Sequence, residues 1–503
     1  MEHSPKKLVI AGGGTAGWMA AAALSKLLGN TVSVTLVESQ EIGRIGVGEA
    51  TIPQLRVFHK LLGIDEQEFM RKTQSTFKLG IEFKNWKQEN HSYFHSFGAT
   101  GKECWACDFH HFWVKGQQQN MAAPFGQYCL EHEAALQGRM LGSDNAGVNY
   151  AYHLDAGLYA QFLKNLAKKN NTQHIEGKIQ HVNLHPATRF IESITLQSGQ
   201  IIEGDYFIDC TGFAARLIEQ ALHTGFESYQ HFLPCDSAVA VQTQSTDNMR
   251  PYTQAIAHPF GWQWRIPLQH RVGNGLVYCS RYTSDEQALD TLLSSLESPP
   301  ITEPRAFKYQ TGRRLKSWNK NCIAIGLASG FMEPVESTSI HLIMSQLLRF
   351  IRLFPNHEHS DALVDEFNQQ TKIDMERIRD FLVLHYHVNQ RSNDPFWAHC
   401  QTMDIPNTLE HKLRLFSETG NLMLNDTELF KIDSWTQVAI GQGLVPKQYH
   451  QIVDAMSRDE LERFLDSIKT HVKQNVAKIP SHKDFIAHYC KANIEEPDTC
   501  MHL

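Results

Sequence analysis

Three glycines near the N-terminal end constrain the fold of this chain more than any other feature. They stand at Gly12, Gly14 and Gly17, after an apolar run at 8–11 and around the start of an alanine-rich stretch. In such a pattern the first glycine permits a tight turn, the second lets backbone approach a pyrophosphate, and the third lets helix and strand pack closely. The pattern predicts a strand, a phosphate-binding turn, a helix over 15–28 and a second strand at 33–37.

The residues around this turn predict a dinucleotide site. Thr15 and Ala16 open the predicted helix, whose free N–H groups and positive dipole end suit phosphates. Glu38 ends the second strand 21 residues after Gly17, where a carboxylate can accept hydrogen bonds from ribose hydroxyls. The strand before the turn, the helix after it and the acid make this pattern more specific than the glycines alone.

Two features favour a flavin over a nicotinamide cofactor. The glycine motif lies at the N-terminal end, and a second acidic-glycine element, D-C-T-G, follows a predicted strand at 209–212. Both are typical of two-domain flavoproteins; the alternative for Asp209 is an ordinary turn residue. Gly326, at the end of another apolar strand, is also a candidate cofactor residue.

Composition excludes several classes of protein. The net charge is −7 and no block of like charges stands out, which argues against nucleic-acid and membrane partners. No uninterrupted apolar stretch reaches the roughly 18 residues of a membrane span. The ten cysteines are scattered and no credible export signal precedes them, so we expect reduced thiols and a cytoplasmic location.

The order of patterns predicts an α/β (α+β) protein with two modules. Residues 1–340 are expected to form a Rossmann-like FAD-binding module of the two-domain flavoprotein type. An aromatic-rich, irregular segment at about 77–150 would be inserted in it as a substrate wall. Residues 341–503 are expected to form a largely helical substrate-binding module packed on the first.

Two further segments carry candidate chemistry. One is F-K-L-G at 77–80, and the other is W-Q-W-R-I-P at 262–267. Taken alone, a single lysine in a loop is usually a solvated surface residue. Two aromatic residues at i and i+2 are usually one face of a strand packed into a core.

Over nearly its full length the chain resembles the tryptophan halogenase family of flavin-dependent halogenases. The F-K-L-G and W-x-W-x-I-P segments are specific to this family among flavoproteins. The matching segments are 12–18, 46–53, 77–80, 262–267, 333–338, 384–386 and 395–397.

The resemblance implies a relay between two places. Reduced FAD (FADH2), supplied by a separate NADH-dependent flavin reductase, would use O2 to convert chloride or bromide into hypohalous acid. That species would travel through an internal tunnel to Lys78, which would hydrogen-bond it or form a haloamine. Glu336 would orient Lys78 and accept the proton that the aromatic ring loses. The alternative for Glu336 is a helix-N-terminal acid favoured by the dipole.

The resemblance also assigns residues around the cofactor. Thr338 and Ser339, at a predicted helix start, would bind halide through free N–H groups. Family members commonly have glycine at the position of Ser339. The serine of this chain would narrow the halide pocket or alter its preference between chloride and bromide. The bulky side chains of Trp262, Trp264 and Ile266 would keep organic substrate away from the flavin. The matching segment at 46–53 adds the cofactor residues Gly48, Glu49 and Ala50.

The substrate is expected to be a small, electron-rich aromatic molecule. His95 and Phe97 match family positions that wall the substrate pocket, and Phe430 lies in the corresponding C-terminal region. Tryptophan-specific members clamp the amino acid with a tyrosine pair and a glutamate-rich segment, which the region 416–443 lacks. We therefore expect free tryptophan to be a poor substrate, and an indole, a phenol or an aromatic side chain on a larger molecule to be better.

The sequence also raises other interpretations. Cys104 and Cys107, followed by His110 and His111, superficially resemble a zinc or redox site, but no second pair completes it, and we expect no metal. An aromatic flavin monooxygenase, or a non-catalytic flavin-binding protein, would share the cofactor motif. A homo-oligomer is compatible with the sequence.

Overall fold

The computed structural model describes residues 4–41, 48–102, 104, 106–142, 148–356 and 359–492. The α-helices are α1 Thr15–Leu27, α2 Gln54–Leu62, α3 Glu66–Lys72, α4 Phe109–Gln118, α5 Leu130–Leu136, α6 Ala156–Lys169, α7 Asp285–Ser294, α8 Ser339–Arg352, α9 Asp361–His387, α10 Pro395–Thr402, α11 Asn407–Thr419, α12 Ile432–Gly441, α13 Arg458–Val476 and α14 His482–Tyr489.

The strands are β1 Lys6–Ala11, β2 Val32–Glu38, β3 Gly48–Ala50, β4 Thr76–Lys78, β5 Gly80–Lys84, β6 Ser92–Ser96, β7 Ala151–Asp155, β8 Gln173–Glu176, β9 Ile179–Leu184, β10 Ile191–Leu196, β11 Ile201–Glu203, β12 Tyr206–Asp209, β13 Phe226–Ser228, β14 Ser237–Gln244, β15 Thr253–His258, β16 Gly261–Pro267, β17 Arg271–Tyr278, β18 Arg305–Lys308, β19 Gly312–Arg314, β20 Trp318–Asn319, β21 Cys322–Ala324 and β22 Gly330–Phe331.

Backbone contacts divide the chain into two compact units, each built from three stretches. Unit 1 comprises Met1–Ser75, Leu154–Gln230 and Tyr309–Glu376, and unit 2 comprises Thr76–His153, His231–Lys308 and Arg377–Leu503. The division at residue 340 concerns binding roles, which these contacts do not test, and it stays a prediction. No helix in the described part of the chain has the length and apolarity needed to cross a membrane.

Unit 1 contains the predicted nucleotide-binding sheet. Its strand order is β20-β21-β12-β1-β2-β8, and all neighbouring pairs are parallel except β20 with β21. The last four residues of β1 are buried, as the continuous apolar run predicts for a central parallel strand. The predicted helix at 15–28 is α1, and the predicted fold class, α/β with a Rossmann-like module, is confirmed.

Unit 2 is organised around a seven-stranded sheet. Its order is β18-β14-β17-β16-β15-β5-β6, with β15 and β5 parallel and the other pairs antiparallel. The expectation of an irregular segment at 77–150 is wrong for much of its length, because β4, β5, β6, α4 and α5 lie there. The aromatic and β-branched residues of β5 and β6 suit an antiparallel pair, in which Ile81 is opposite His95.

A buried histidine in unit 1 gives the fold an expected acid sensitivity. The His59 side chain is 3% exposed, its Nε2 lies 2.9 Å from the Tyr159 hydroxyl, and its ring packs edge-on against Phe69. Burial lowers the pKa of His59 from 6.5 to about 3. The folded state therefore takes up this proton less readily than the unfolded state does.

We expect His59 to cost about 2 kcal/mol of unfolding free energy as the pH falls from 7 to 5. The neutral histidine does not lower the stability of the fold above the unfolded-state pKa of 6.5. As the pH falls from 6.5 toward the folded-state pKa of about 3, unfolding free energy is progressively lost. His59→Gln keeps a hydrogen-bonding group beside Tyr159 but does not titrate, so its unfolding free energy should fall less over this range. Urea denaturation at both pH values measures the difference, and equal acid slopes for variant and parent would contradict the assignment.

Candidate active site

The glycine turn after β1 has the geometry that a pyrophosphate site requires. Gly12 has φ +107°, and a Cβ there would lie 2.3 Å from the Cys210 carbonyl oxygen. A Cβ on Gly17 would lie 1.9 Å from the Gly12 carbonyl oxygen, so the close packing of helix on turn depends on glycine. A Cβ on Gly14 would meet nothing within 4 Å, which leaves open space beside the backbone at this position.

The first turn of α1 is prepared for an anion. Gly14 is its N-cap, no side chain caps the helix, and the first turn, which Thr15 opens and Ala16 follows, contains no acidic residue. The N–H groups and the positive end of the helix dipole are therefore not neutralised by a side chain of this turn.

The two glycines should respond differently to alanine. Gly14→Ala should leave the FAD-free fold intact but weaken FAD binding at least about tenfold, because its methyl group occupies the approach to the pyrophosphate. Gly17→Ala should destabilise the FAD-free protein by about 3 kcal/mol, because the new methyl group overlaps the turn. Thermal unfolding without FAD and a fluorescence titration with FAD separate the two effects; equal melting losses in both variants would contradict this reading.

Glu38, at the end of β2, lies in a network that the sequence did not reveal. The side chain is buried, and its Oε1 lies 2.8 Å from Lys164 Nζ and 3.0 Å from His174 Nε2. Trp18 Nε1 donates to Oε2 over 3.4 Å. The lysine supports an ionised carboxylate, the form in which both oxygens only accept hydrogen bonds. Lys164 comes from α6, far along the chain, and no local pattern pointed to it.

The other candidate cofactor residues of unit 1 lie at strand ends. Asp209 ends β12 and accepts four hydrogen bonds, from the N–H and hydroxyl of Thr211 and from the N–H groups of Leu217 and Ile218. Its carboxylate therefore shapes the loop after the strand. Gly326, with φ +68°, follows β21, and a Cβ there would lie 2.9 Å from that of Ala16.

The segment at 46–53 is described only from Gly48 onward. Gly46 and Val47 lie outside the described residues, whereas Gly48, Glu49 and Ala50 form β3. Burial raises the pKa of Glu49 to about 7, so this side chain is partly protonated at neutral pH. A protonated carboxyl group can donate a hydrogen bond that a carboxylate cannot.

Glu336 and the candidate halide residues lie at the start of α8 in unit 1. The buried Glu336 ends a 3₁₀ turn at Pro334–Glu336, Ser337 has φ 59°, and Thr338 is the N-cap of α8. The predicted helix start at Ser339 is confirmed. The Thr338 hydroxyl is buried and has no hydrogen-bond partner among the described residues. It is therefore a donor available to a small anion.

Lys78 is the last residue of β4 in unit 2, and it is fully buried. The expectation of a loop is wrong here, because β4 pairs in antiparallel register with β7, where Lys78 is opposite Ala151. Lys78 Nζ lies 5.1 Å from the centroid of the Phe97 ring, within range of a cation–π contact. A buried ammonium of this kind is not the solvated surface lysine that its sequence context alone would favour.

The tryptophans of the W-x-W-x-I-P segment lie in β16, inside the large sheet. All seven residues of the strand are buried, and Trp262, Trp264 and Ile266 share one face because they alternate. Gly275 on β17 is opposite Trp264, and a Cβ there would lie 2.0 Å from the indole ring. The sheet thus makes room for Trp264, whose Nε1 has no hydrogen-bond partner among the described residues.

Two of the three candidate substrate-pocket residues belong to one aromatic cluster. The rings of His95 and Phe430 are 6.0 Å apart, and Phe430 stacks on Phe381 at 3.9 Å. Trp435 packs edge-on against Phe381 at 5.1 Å. Sequence reasoning missed Phe381 and Trp435, which lie on α9 and α12, because nothing local marks them as neighbours of β6. Phe97 instead covers Lys78.

The C-x-x-C segment has structural partners around its histidines. His110 Nε2 donates to the Gly420 carbonyl over 2.6 Å, and His111 Nδ1 accepts from the His450 N–H over 3.1 Å. Among the described residues, ligand atoms of Glu38, His174 and Glu176 come within 4.8 Å of one another. Lys164 forms an ion pair with Glu38, and its positive charge disfavours the binding of a metal ion by these three residues.

Comparisons with known proteins agree with the resemblance seen in the sequence. The tryptophan halogenase family model matches residues 7–458. The tryptophan 7-halogenase RebH of Lentzea aerocolonigenes is 31% identical over 95% of this chain and 98% of its own length. The flavin-dependent halogenase Xcc4156 of Xanthomonas campestris has a TM-score of 0.96 at 48% identity, covering 97% of this chain and 99% of that one.

A second solved structure gives the same result. The flavin-dependent halogenase BrvH of Brevundimonas sp. BAL3 has a TM-score of 0.92 at 42% identity, covering 96% of this chain and 99% of that one. The similarity therefore extends through both units. The chain belongs to the tryptophan halogenase family and is a flavin-dependent halogenase.

Proposed function

We propose that this halogenase uses FADH2, O2 and chloride or bromide to make hypohalous acid, which Lys78 directs at an electron-rich aromatic substrate. The overall change is FADH2 + O2 + X⁻ + H⁺ → FAD + H2O + HOX, followed by ArH + HOX → ArX + H2O. The observation that carries the proposal is the complete burial of the Lys78 side chain in β4.

The residues of unit 1 fit FAD. The turn at Gly12, Gly14 and Gly17 and the uncapped α1 suit the pyrophosphate, and the Glu38 carboxylate suits ribose hydroxyls. Asp209 and Gly326 would act by fixing the loops after β12 and β21, and the segment from Gly48 to Ala50 would line the cofactor. When bound, reduced FAD would supply the two electrons that reduce one oxygen atom of O2 to water, while the other oxygen atom oxidises the halide.

Thr338 and Ser339 are the proposed halide ligands. The buried Thr338 hydroxyl and the N–H groups at the start of α8 are donors of the kind that bind small anions. Ser339 stands where the family commonly has glycine, so its Cβ would reduce the space for the larger halide.

Lys78 supplies the proposed activation of hypohalous acid. Its ammonium donates a hydrogen bond to the oxygen, which withdraws electron density and makes the halogen more electrophilic. Burial strengthens this interaction, because water does not screen it. Lysine suits the role better than arginine, since its compact ammonium makes a point contact and can also give a haloamine.

The proposed substrate is an indole-like or phenol-like aromatic molecule. His95, Phe97 and Phe430 offer ring surfaces, and 416–443 lacks the tyrosine pair and glutamate cluster that would clamp a free amino acid. Trp262, Trp264 and Ile266 are proposed to keep this substrate away from the flavin. Reducing equivalents are proposed to come from a separate NADH-dependent flavin reductase.

Mass spectrometry tests the function directly. The protein is incubated with FAD, a flavin reductase, NADH and bromide, and with indole, phenol or tryptophan, alongside a control without bromide. A bromine isotope doublet on indole or phenol that exceeds that on tryptophan supports the proposal. Oxygen insertion into the substrate would favour a monooxygenase, and tryptophan as the best substrate would overturn the substrate assignment.

A further inference from the structure

A hydrogen-bonded chain in unit 2 connects the strand of Lys78 to the strand of the two tryptophans. Thr76 lies two residues before Lys78 on β4, on the same face of the strand. Its hydroxyl oxygen is 2.7 Å from the carbonyl oxygen of Pro267, the last residue of β16. Because a carbonyl only accepts, Thr76 donates its one proton to Pro267.

The direction of this bond determines the tautomer of His153. His153 is opposite Thr76 in the β4–β7 register, and its Nδ1 lies 3.0 Å from the Thr76 hydroxyl oxygen. Since the Thr76 proton is already used, Nδ1 must carry a hydrogen and donate. The other nitrogen, Nε2, lies 2.9 Å from the hydroxyl of Thr253 on β15 and accepts from it when the ring is neutral.

The surroundings keep His153 neutral. The side chain is fully buried, and burial, followed by the charge of Lys78, lowers its pKa well below 6.5. The chain of bonds therefore runs in one direction, from Thr253 to His153, to Thr76 and to Pro267. Each member is satisfied, which is the condition under which a buried polar network makes a structure rigid.

A second histidine holds the residue between Thr76 and Lys78. The Phe77 N–H donates to His482 Nε2 over 3.3 Å, and His482 Nδ1 donates to the Met249 carbonyl over 2.8 Å. Burial lowers the pKa of His482 to about 4, so this ring too is neutral. Both histidines thus fix β4 without placing another positive charge beside the Lys78 ammonium.

We propose that His153 is a positioning residue that acts through Thr76 to hold Lys78 in place relative to β16. The inference rests on the proposed role of Lys78. Hypohalous acid is made at the flavin and used at Lys78, so misplacing the ammonium should waste the oxidant without slowing its production. The quantity to measure is therefore halogenated product formed per O2 consumed.

Two substitutions of His153 test its two hydrogen bonds separately, the one from Nδ1 to Thr76 and the one from Thr253 to Nε2. In His153→Asn the amide nitrogen takes the place of Nδ1 and donates to Thr76, while the contact with Thr253 is lost. In His153→Gln the amide takes the place of Nε2 and keeps the contact with Thr253, while the bond to Thr76 is lost. Asn should retain most of the product yield per O2, whereas Gln should lose about tenfold.

Thr76 provides a second pair that does not alter the histidine. Thr76→Ser keeps the hydroxyl, and Thr76→Val keeps the shape but leaves the Pro267 carbonyl and His153 Nδ1 without their partner. Serine should preserve the yield and valine should reduce it, with more free hypohalous acid caught by a scavenger added to the solution. Thermal unfolding of every variant reports stability separately.

Two results would overturn the inference. One is an equal loss of yield in His153→Asn and His153→Gln, and the other is a fall in melting temperature with the yield per O2 unchanged in all four variants. Failure of the proposed function would look different, because the parent protein would then give no halogenated product or Lys78→Ala would keep its yield.

Discussion

Replacing Lys78 with alanine is expected to reduce halogenation by about a hundredfold to a thousandfold, the scale seen when a preorganised donor to a reacting oxygen is removed. The Lys78 side chain is fully buried, so bulk water does not screen its electrostatic interaction with the reacting oxygen. Flavin binding and O2 consumption should continue, since the proposed cofactor residues belong to unit 1 and Lys78 to unit 2.

The measurements are product by mass spectrometry, O2 uptake and FAD affinity, each on the same preparation. Lys84→Ala is the matched control: Lys84 ends β5 in the same unit, its side chain is 39% exposed, and it pairs only loosely with Glu82 at 3.6 Å. It should behave like the parent. Lys78→Arg keeps the charge but not the point contact, and should recover little activity.

The outcome separates the three functional interpretations left by the sequence. A halogenase loses its product and keeps its O2 uptake. A monooxygenase acting at the flavin would insert oxygen whether or not Lys78 is present. A non-catalytic flavin-binding protein would form no product in either form. Normal halogenation by Lys78→Ala would show that the assigned role of the lysine is wrong.

The nucleotide-binding opening was predictable because its signals are local. The spacing of Gly12, Gly14 and Gly17 specifies a turn between a strand and a helix, and the structure has β1, that turn and α1. The start of α8 at Ser339 was visible for the same reason. Such patterns act over a few residues, so they need no knowledge of the tertiary fold.

The surroundings of Lys78 were not predictable in this way. Thr76 forms hydrogen bonds with His153, which is 77 residues away in the sequence, and with Pro267, which is 191 residues away. No periodicity links these positions. The pairing of β4 with β7, which places Lys78 opposite Ala151, is also a tertiary contact. The contacts of Lys164 with Glu38 and of Phe381 with Phe430 were missed for the same reason. Lys164 and Phe381 lie on helices that are distant in sequence from their partners.

Glu336→Gln is expected to lower the rate of halogenation by about a hundredfold, within the range for loss of a general base. Glutamine has nearly the same shape as glutamate, so the buried turn at Pro334–Glu336 and the start of α8 should persist. What the amide lacks is the capacity to accept the proton that leaves the ring after the halogen has added.

The kinetics should reveal which step the carboxylate serves. With an indole deuterated at the carbon that is halogenated, Glu336→Gln should show a primary isotope effect, because loss of the ring proton becomes rate-limiting. The parent should show a smaller one. Glu336→Asp keeps a base at a greater distance and should recover part of the rate that Glu336→Gln loses.

The alternative for Glu336, an acid that stabilises the start of α8 through the helix dipole, predicts a different pattern. Loss of such an interaction costs about 1 kcal/mol of stability or less and leaves the chemistry unchanged. Glu336→Gln would then melt at a slightly lower temperature and halogenate at the parent rate, with no isotope effect. A large rate loss with an unchanged melting temperature therefore supports proton transfer, because a capping role cannot slow the loss of a ring proton.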